Sequence, residues 1–167
     1  MAIIAYKGIT PKIAPGVFVA ESADIVGDVT IEEGSSIWYG VVLRGDVAPI
    51  KIGKNTNVQD NSTIHVNLGI PTIIGNNVTI GHNVIIHAAT IEDNCLIGMG
   101  SIILDDAHIG QGAQVGAGAL VPPRKEVMAR TLVVGMPYKQ VKELSVEDEQ
   151  GFVEHAAKYV ELSKDYL

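Results

Sequence analysis

"IGNNVTIGHNVIIHAATIEDNCLIGMGSII", residues 74 to 103, carries isoleucine at Ile74, Ile80, Ile86, Ile91, Ile97 and Ile103, every sixth position with a single shortfall. An amphipathic helix repeats its apolar residues every three or four positions and a half-buried strand every two, so a period of six fits neither. The series extends in both directions. Upstream it runs Ile13, Val19, Ile25, Ile31, Ile37, Leu43, then after three extra residues Ile52, Val58, Ile64, and four more residues bring it to Ile74. Downstream it continues through Ile109, Val115 and Val121, and all eighteen stations are Ile, Val or Leu. Four residues after a station comes a second small or β-branched residue, among them Val29, Ser35, Val41, Ser62, Val84, Thr90, Cys95, Ser101, Ala107 and Ala113; Leu68 and Lys125 break the rule.

A six-residue unit that turns inward twice is a short strand and a corner, and three such units make one coil of a triangular prism. The expected fold is therefore mainly β: a parallel β-helix of six coils over residues 1–126. Stacked coils lie ~4.8 Å apart, so residues eighteen apart sit directly above one another. Gly53, Gly75, Gly81, Gly98, Gly110 and Gly116 are read as corner residues rather than phosphate binders. Cys95 falls on the second inward position and is read as a small core residue, not a nucleophile. Residues 127–144 read as a connector, with Pro122 and Pro123 ending the last coil. Residues 145–167 predict an amphipathic helix, with a capping pair of Ser145 and Asp148 and a stripe of Phe152, Val153, Ala156, Tyr159 and Val160. That stripe needs cover from the prism flank or a neighbouring subunit. His155 reads as an ordinary surface histidine.

At 167 residues, 47% hydrophobic and 19% charged, the chain is long and apolar enough for a folded core. A net charge of −7 and a pI near 5.1 give no footprint for nucleic acid or an anionic membrane. No apolar run approaches the ~20 residues of a membrane span, and the first residues lack a basic leader, which predicts a cytoplasmic protein. One cysteine excludes an internal disulfide and a cysteine-only zinc site.

The period also assigns the histidines. With Ile13 on the first side, Leu43, Ile64 and Ile86 fall on the third side in consecutive coils, and the residues after them are Arg44, His65 and His87. His82 follows Ile80 by two on the second side, in a column with Tyr39 and Asp60. Two imidazoles one coil apart can share an ion at ~2.0–2.1 Å from each nitrogen. His82 projects from another side and cannot join them within one prism, so a third ligand requires a second chain. If the second side of one prism meets the third side of the next, three copies close a head-to-tail ring. Each junction then collects His65 and His87 from one subunit and His82 from its neighbour, and brings Arg44 toward Asp60. Three neutral imidazoles without a fourth protein ligand describe an open Zn²⁺ site, which supplies hydroxide at neutral pH.

Hexads such as "IGNNVT", "IGHNVI" and "IEDNCL" resemble the left-handed parallel β-helix of hexapeptide-repeat proteins, and only this resemblance supplies the hand. "RGD" (44–46), "NVQDNSTIH" (57–65), "GHNVIIH" (81–87) and "GMGS" (98–101) resemble the γ-class carbonic anhydrases over nearly the whole chain. The resemblance implies a homotrimer with Zn²⁺, Fe²⁺ or Co²⁺ at each interface and carbon dioxide and bicarbonate as substrates. Position by position it implies His65, His82 and His87 as ligands and Gln59 as the residue orienting water or substrate. Asn57 would line the cavity, and Arg44, Asp46 and Asp60 would form the interface network. The chain departs from the family in proton transfer. Val47 and the short "VNLGIP" (66–71) stand where prototypical members carry glutamates, and Tyr159 is the candidate substitute. Two other functions use the same coil: a coenzyme A-dependent acyltransferase, and a metal-binding trimeric scaffold without turnover.

Overall fold

The computed structural model describes residues 1–167. Its strands pair in three columns, and the stations stack in the predicted order. The first column is Ile13, Ile31, Ile52, Ile74, Ile91, Ile109. The second is Val19, Ile37, Val58, Ile80, Ile97, Val115, and the third is Ile25, Leu43, Ile64, Ile86, Ile103, Val121. All these pairings are parallel, and together they enclose one continuous core of 31 buried residues. Aligned aliphatic side chains remove apolar surface from water in every coil, which is what fixes the register.

The solenoid is longer than the eighteen stations predict, at about seven turns. Glu126–Val127 pairs with His108–Ile109, and Thr131–Val134 pairs with Gln114–Val115, so Val127 and Val133 continue the first and second columns. The segment 127–144 is thus partly coil rather than connector. Pro122 and Pro123 do not end the prism because they sit in a corner outside the paired strands. Lys139–Glu143 then folds back antiparallel on Thr131–Val134 and covers the last edge. At the other end Ala2–Ile4 pairs with Asp24–Val26.

One local expectation needs correction, and the corner glycines, which stand where predicted, serve by close packing. Where the series loses one residue, Ala89 and not Thr90 turns inward: Ala89 is buried and Thr90 lies on the outer face of its strand. The six corner glycines do not adopt the left-handed conformation; Asn55, Asn77, Asn83 and Asn94 do, at φ between 54° and 61°. Gly98 is required for a different reason, since a Cβ there would lie 2.5 Å from the Ala117 nitrogen of the next coil.

The helix spans Val146–Lys164. The Asp148 amide donates to Ser145 Oγ (3.1 Å) and the Ser145 amide to Asp148 Oδ2 (2.9 Å), closing the predicted capping box. It runs along the second face of its own prism. Glu149 anchors one end by accepting from Asn94 Nδ2 and Gln111 Nε2, both at 2.8 Å. At the other end Tyr159 and Tyr166 pack edge-on against Trp38, with ring centroids 5.7 and 5.1 Å away. No helix is long and apolar enough to cross a membrane.

Candidate metal centre

Ile64 and Ile86 are fully buried partners, and the next residues, His65 and His87, are also direct register partners. The four-residue insertion between coils leaves as the loop of Asn67–Ile70, closed by its own backbone pair, so the stacking above and below it is kept. The consequence is a close approach of two rings: His65 Nδ1 lies 3.2 Å from His87 Nε2.

Each ring's other nitrogen meets a carboxylate. His65 Nε2 is 2.9 Å from Asp46 Oδ1, and His87 Nδ1 is 3.1 Å from Asp105 Oδ2. Burial pushes the Asp46 carboxyl up, but hydrogen bonds from His65 and Arg44 outweigh it and hold the group below the usual carboxylate range. Burial likewise opposes ionisation of Asp105, and the hydrogen bonds from Asn67, the backbone and His87 overcome it. The Asn67 bond, Nδ2 to Oδ1, is 2.7 Å. An ionised carboxylate only accepts, so the ring nitrogen facing it carries the hydrogen. In neutral imidazoles His65 Nδ1 and His87 Nε2 are then both bare lone pairs, opposed with no hydrogen between them.

Two lone pairs at that distance repel unless a cation lies between them. Nitrogens bound tetrahedrally to one zinc ion at ~2.0–2.1 Å are ~3.3–3.4 Å apart, close to what the pair shows. A carboxylate on the remote nitrogen is also how metal-binding imidazoles are oriented. The donor set fits a divalent ion.

His82 stands on the second column and repeats the pattern: its Nδ1 is 2.9 Å from Asp60 Oδ2, leaving Nε2 free. Within one chain no three His, Cys, Asp or Glu side chains converge to hold an ion. One prism brings together two of the three predicted ligands and keeps the third apart. Arg44 and Asp60 each have a partner in their own chain, Asp46 and His82 respectively.

Beside His82, the predicted polar residues are buried and linked. Gln59 Nε2 donates to Asn57 Oδ1 (3.1 Å), and Asn57 Nδ2 donates to Thr79 Oγ1 (3.0 Å). Thr79 Oγ1 is 3.2 Å from His155 Nδ1 on the helix, so His155 is half-buried and engaged rather than an ordinary surface residue. Tyr159 lines a cavity shared with Gln59 and His82, and burial together with the charge of Asp60 pushes its phenol up. Asp105, Asn67 and Thr79 were not anticipated. Ile86 pairs with Ile103, so the column rule puts Leu104 on His87, and Asp105 lies one place further along the next coil, where stacking alone would not have found it.

Comparison with known proteins agrees with this geometry. Two family models match: the bacterial transferase hexapeptide (six repeats) over residues 88–123 and the hexapeptide repeat of succinyl-transferase over residues 49–88. A carbonic anhydrase of Geobacillus kaustophilus (strain HTA426) is 50% identical over 98% of this chain and 90% of that protein. The mitochondrial gamma carbonic anhydrase 2 of Arabidopsis thaliana is 42% identical over 93% of this chain, which spans 58% of the plant protein. The crystal structure of a hexapeptide transferase family protein from Anaplasma phagocytophilum superimposes with a TM-score of 0.95 at 40% identity, covering 99% of this chain and 98% of that one. The repeat models and the relatives together cover nearly the full length, and the chain belongs to the γ-class carbonic anhydrase-like family of hexapeptide-repeat proteins.

Proposed function

We propose that the protein is a homotrimeric, metal-dependent carbonic anhydrase, interconverting carbon dioxide and bicarbonate at three subunit junctions. The observation that carries this reading is the opposed pair of ring nitrogens, 3.2 Å apart, each ring held from behind by a carboxylate. His65 and His87 of one subunit and His82 of the next would hold Zn²⁺, with Fe²⁺ or Co²⁺ as substitutes the same donors accept. Such an ion, with one position open, makes water a nucleophile at neutral pH.

The chain's own residues do the rest. Asp46, Asp105 and Asp60 fix ring orientation and tautomer. Asn57, almost fully buried, holds the Gln59 amide in one orientation beside His82, where it directs water or substrate. Arg44 is half exposed after pairing with Asp46, and its remaining donors are available to Asp60 of the neighbouring subunit. Chelation should abolish carbon dioxide hydration, and restoring zinc or anaerobic iron should recover it. A metal-loaded trimer no faster than buffer would reject the reading.

The solved relative described as a hexapeptide transferase supports a second reading, acyl transfer from coenzyme A on the same coil. Tight binding of acetyl-CoA by the metal-free protein would favour it. A trimer that binds metal, hydrates nothing and ignores acetyl-CoA would instead be the scaffold.

A further inference from the structure

Hydration of carbon dioxide releases one proton per turnover, and neither Val47 nor the "VNLGIP" loop after His65 has a carboxylate to take it. Elsewhere, between the helix and the second face, lies a cavity of about 340 Å³ whose lining includes Gln59, Thr79, His82, Met99, His155 and Tyr159. Two of these could carry a proton out. The Tyr159 phenol, raised by burial, keeps its proton at neutral pH. His155 is the titratable alternative. Burial and the charge of Lys158 lower its imidazole below the usual value, so it stays neutral and able to accept near pH 7. The charged and titratable groups around it are Lys158 and Tyr159 on its own helix and His82 from the coil, with Asp60 acting on Tyr159 beyond.

The hydrogen bonds have a direction. Gln59 donates to Asn57, and Asn57 donates to Thr79 Oγ1, so the Thr79 hydroxyl has its own hydrogen to give to His155 Nδ1. We propose that His155, reached through Thr79, is the proton-transfer residue of the site; this rests on the carbonic anhydrase reading above. Thr79 Oγ1 takes a proton from cavity water as its own hydrogen passes to His155 Nδ1. The imidazolium so formed gives its Nε2 proton to external buffer, and a second exchange with buffer, Nε2 protonated as Nδ1 is deprotonated, restores the tautomer with Nδ1 bare. Carbon dioxide and water have become bicarbonate and one proton in the buffer. Asn57 and Gln59 conduct nothing in this scheme; their amides hold Thr79 in its accepting orientation.

The test is stopped-flow hydration by metal-loaded wild type, His155→Gln and Thr79→Val, over a range of buffer concentrations. For His155→Gln, kcat in dilute buffer should fall about tenfold or more while kcat/KM stays within about twofold of wild type. Added imidazole should restore kcat, with metal content and oligomeric state unchanged. Thr79→Val should lower kcat in the same sense, and by NMR it should shift the His155 titration. Identical buffer curves for wild type and His155→Gln would overturn the role. So would a loss shared by kcat/KM that imidazole does not restore, or a His155 titration indifferent to Thr79→Val. Wild type without hydration at any imidazole concentration would instead reject the parent reading, and this role with it; there wild type and variants fail alike.

Discussion

The second and third faces of the prism are built from the same hexads but finish differently. On the second face the chain supplies its own cover: Tyr159 and Tyr166 close over Trp38, and His155 caps the polar line that starts at Gln59. On the third face nothing of the chain covers Ile85, which is 45% exposed, and the adjacent His65 and His87 turn ring nitrogens toward each other at 3.2 Å. The second face is largely covered by its own helix, with His82 Nε2 left free. The other leaves Ile85 and the pair of His65 and His87 uncovered by the chain, which is where the proposed ion and neighbouring subunit would sit. A repeat therefore specifies the same scaffold on all sides, and the faces differ only in what the rest of the chain lays over them.

The comparison breaks most completely if the open face does not need metal. His87→Ala should lose the ion and all hydration while remaining folded, because the ring points out of the core; metal analysis beside a melting curve checks this. Truncating the buried partner beneath a ligand, Ile64→Ala, should cost about 2–5 kcal/mol of stability, read by denaturant titration. It should also weaken metal binding, since Ile64 sets the height of His65. Asp105→Asn keeps the shape but removes the charge behind His87, and should weaken metal affinity by about ten- to a hundredfold, measured by competition with a chelator. Equal affinity would mean that the carboxylate does not orient the ring.

The smallest effect belongs to the covered face. Hydrogen bonds from Gln111 and Asn94 and the charge of Arg130 hold the Glu149 carboxyl below its ordinary value against the opposing effect of burial. Its contribution to helix docking is thus complete above the unfolded carboxyl's pKa and is lost as pH falls through the lower, folded one. Trp38, the sole tryptophan, sits under the helix and reports its departure by fluorescence. Acidification should therefore change Trp38 emission before the solenoid melts, and Glu149→Gln should weaken that pH dependence.

Most of the coil is legible in the sequence because its driving force is periodic: each station buries one aliphatic side chain at a fixed interval. The seventh turn escapes because Pro122, Pro123 and Lys125 crowd one corner, where the coil tolerates them. Asp60 beneath His82 follows from the same interval; Asp105 does not, because the short step before Ile91 sets it one place beyond the residue stacked on His87. Nor does His155. Its partner Thr79 is 76 residues away, and the docking of a helix on a sheet is set by packing that no repeat encodes.

The central claim is that one subunit gives His65 and His87 and its neighbour gives His82. Co-expressing His65→Ala and His82→Ala chains as mixed trimers tests it directly, because neither homotrimer keeps an intact site. In a random mixture about one junction in four should combine the intact third face of one subunit with the intact second face of the other, and should bind metal and hydrate carbon dioxide. Mixed trimers as metal-free and inactive as their parents would show that all three rings must come from the same chain.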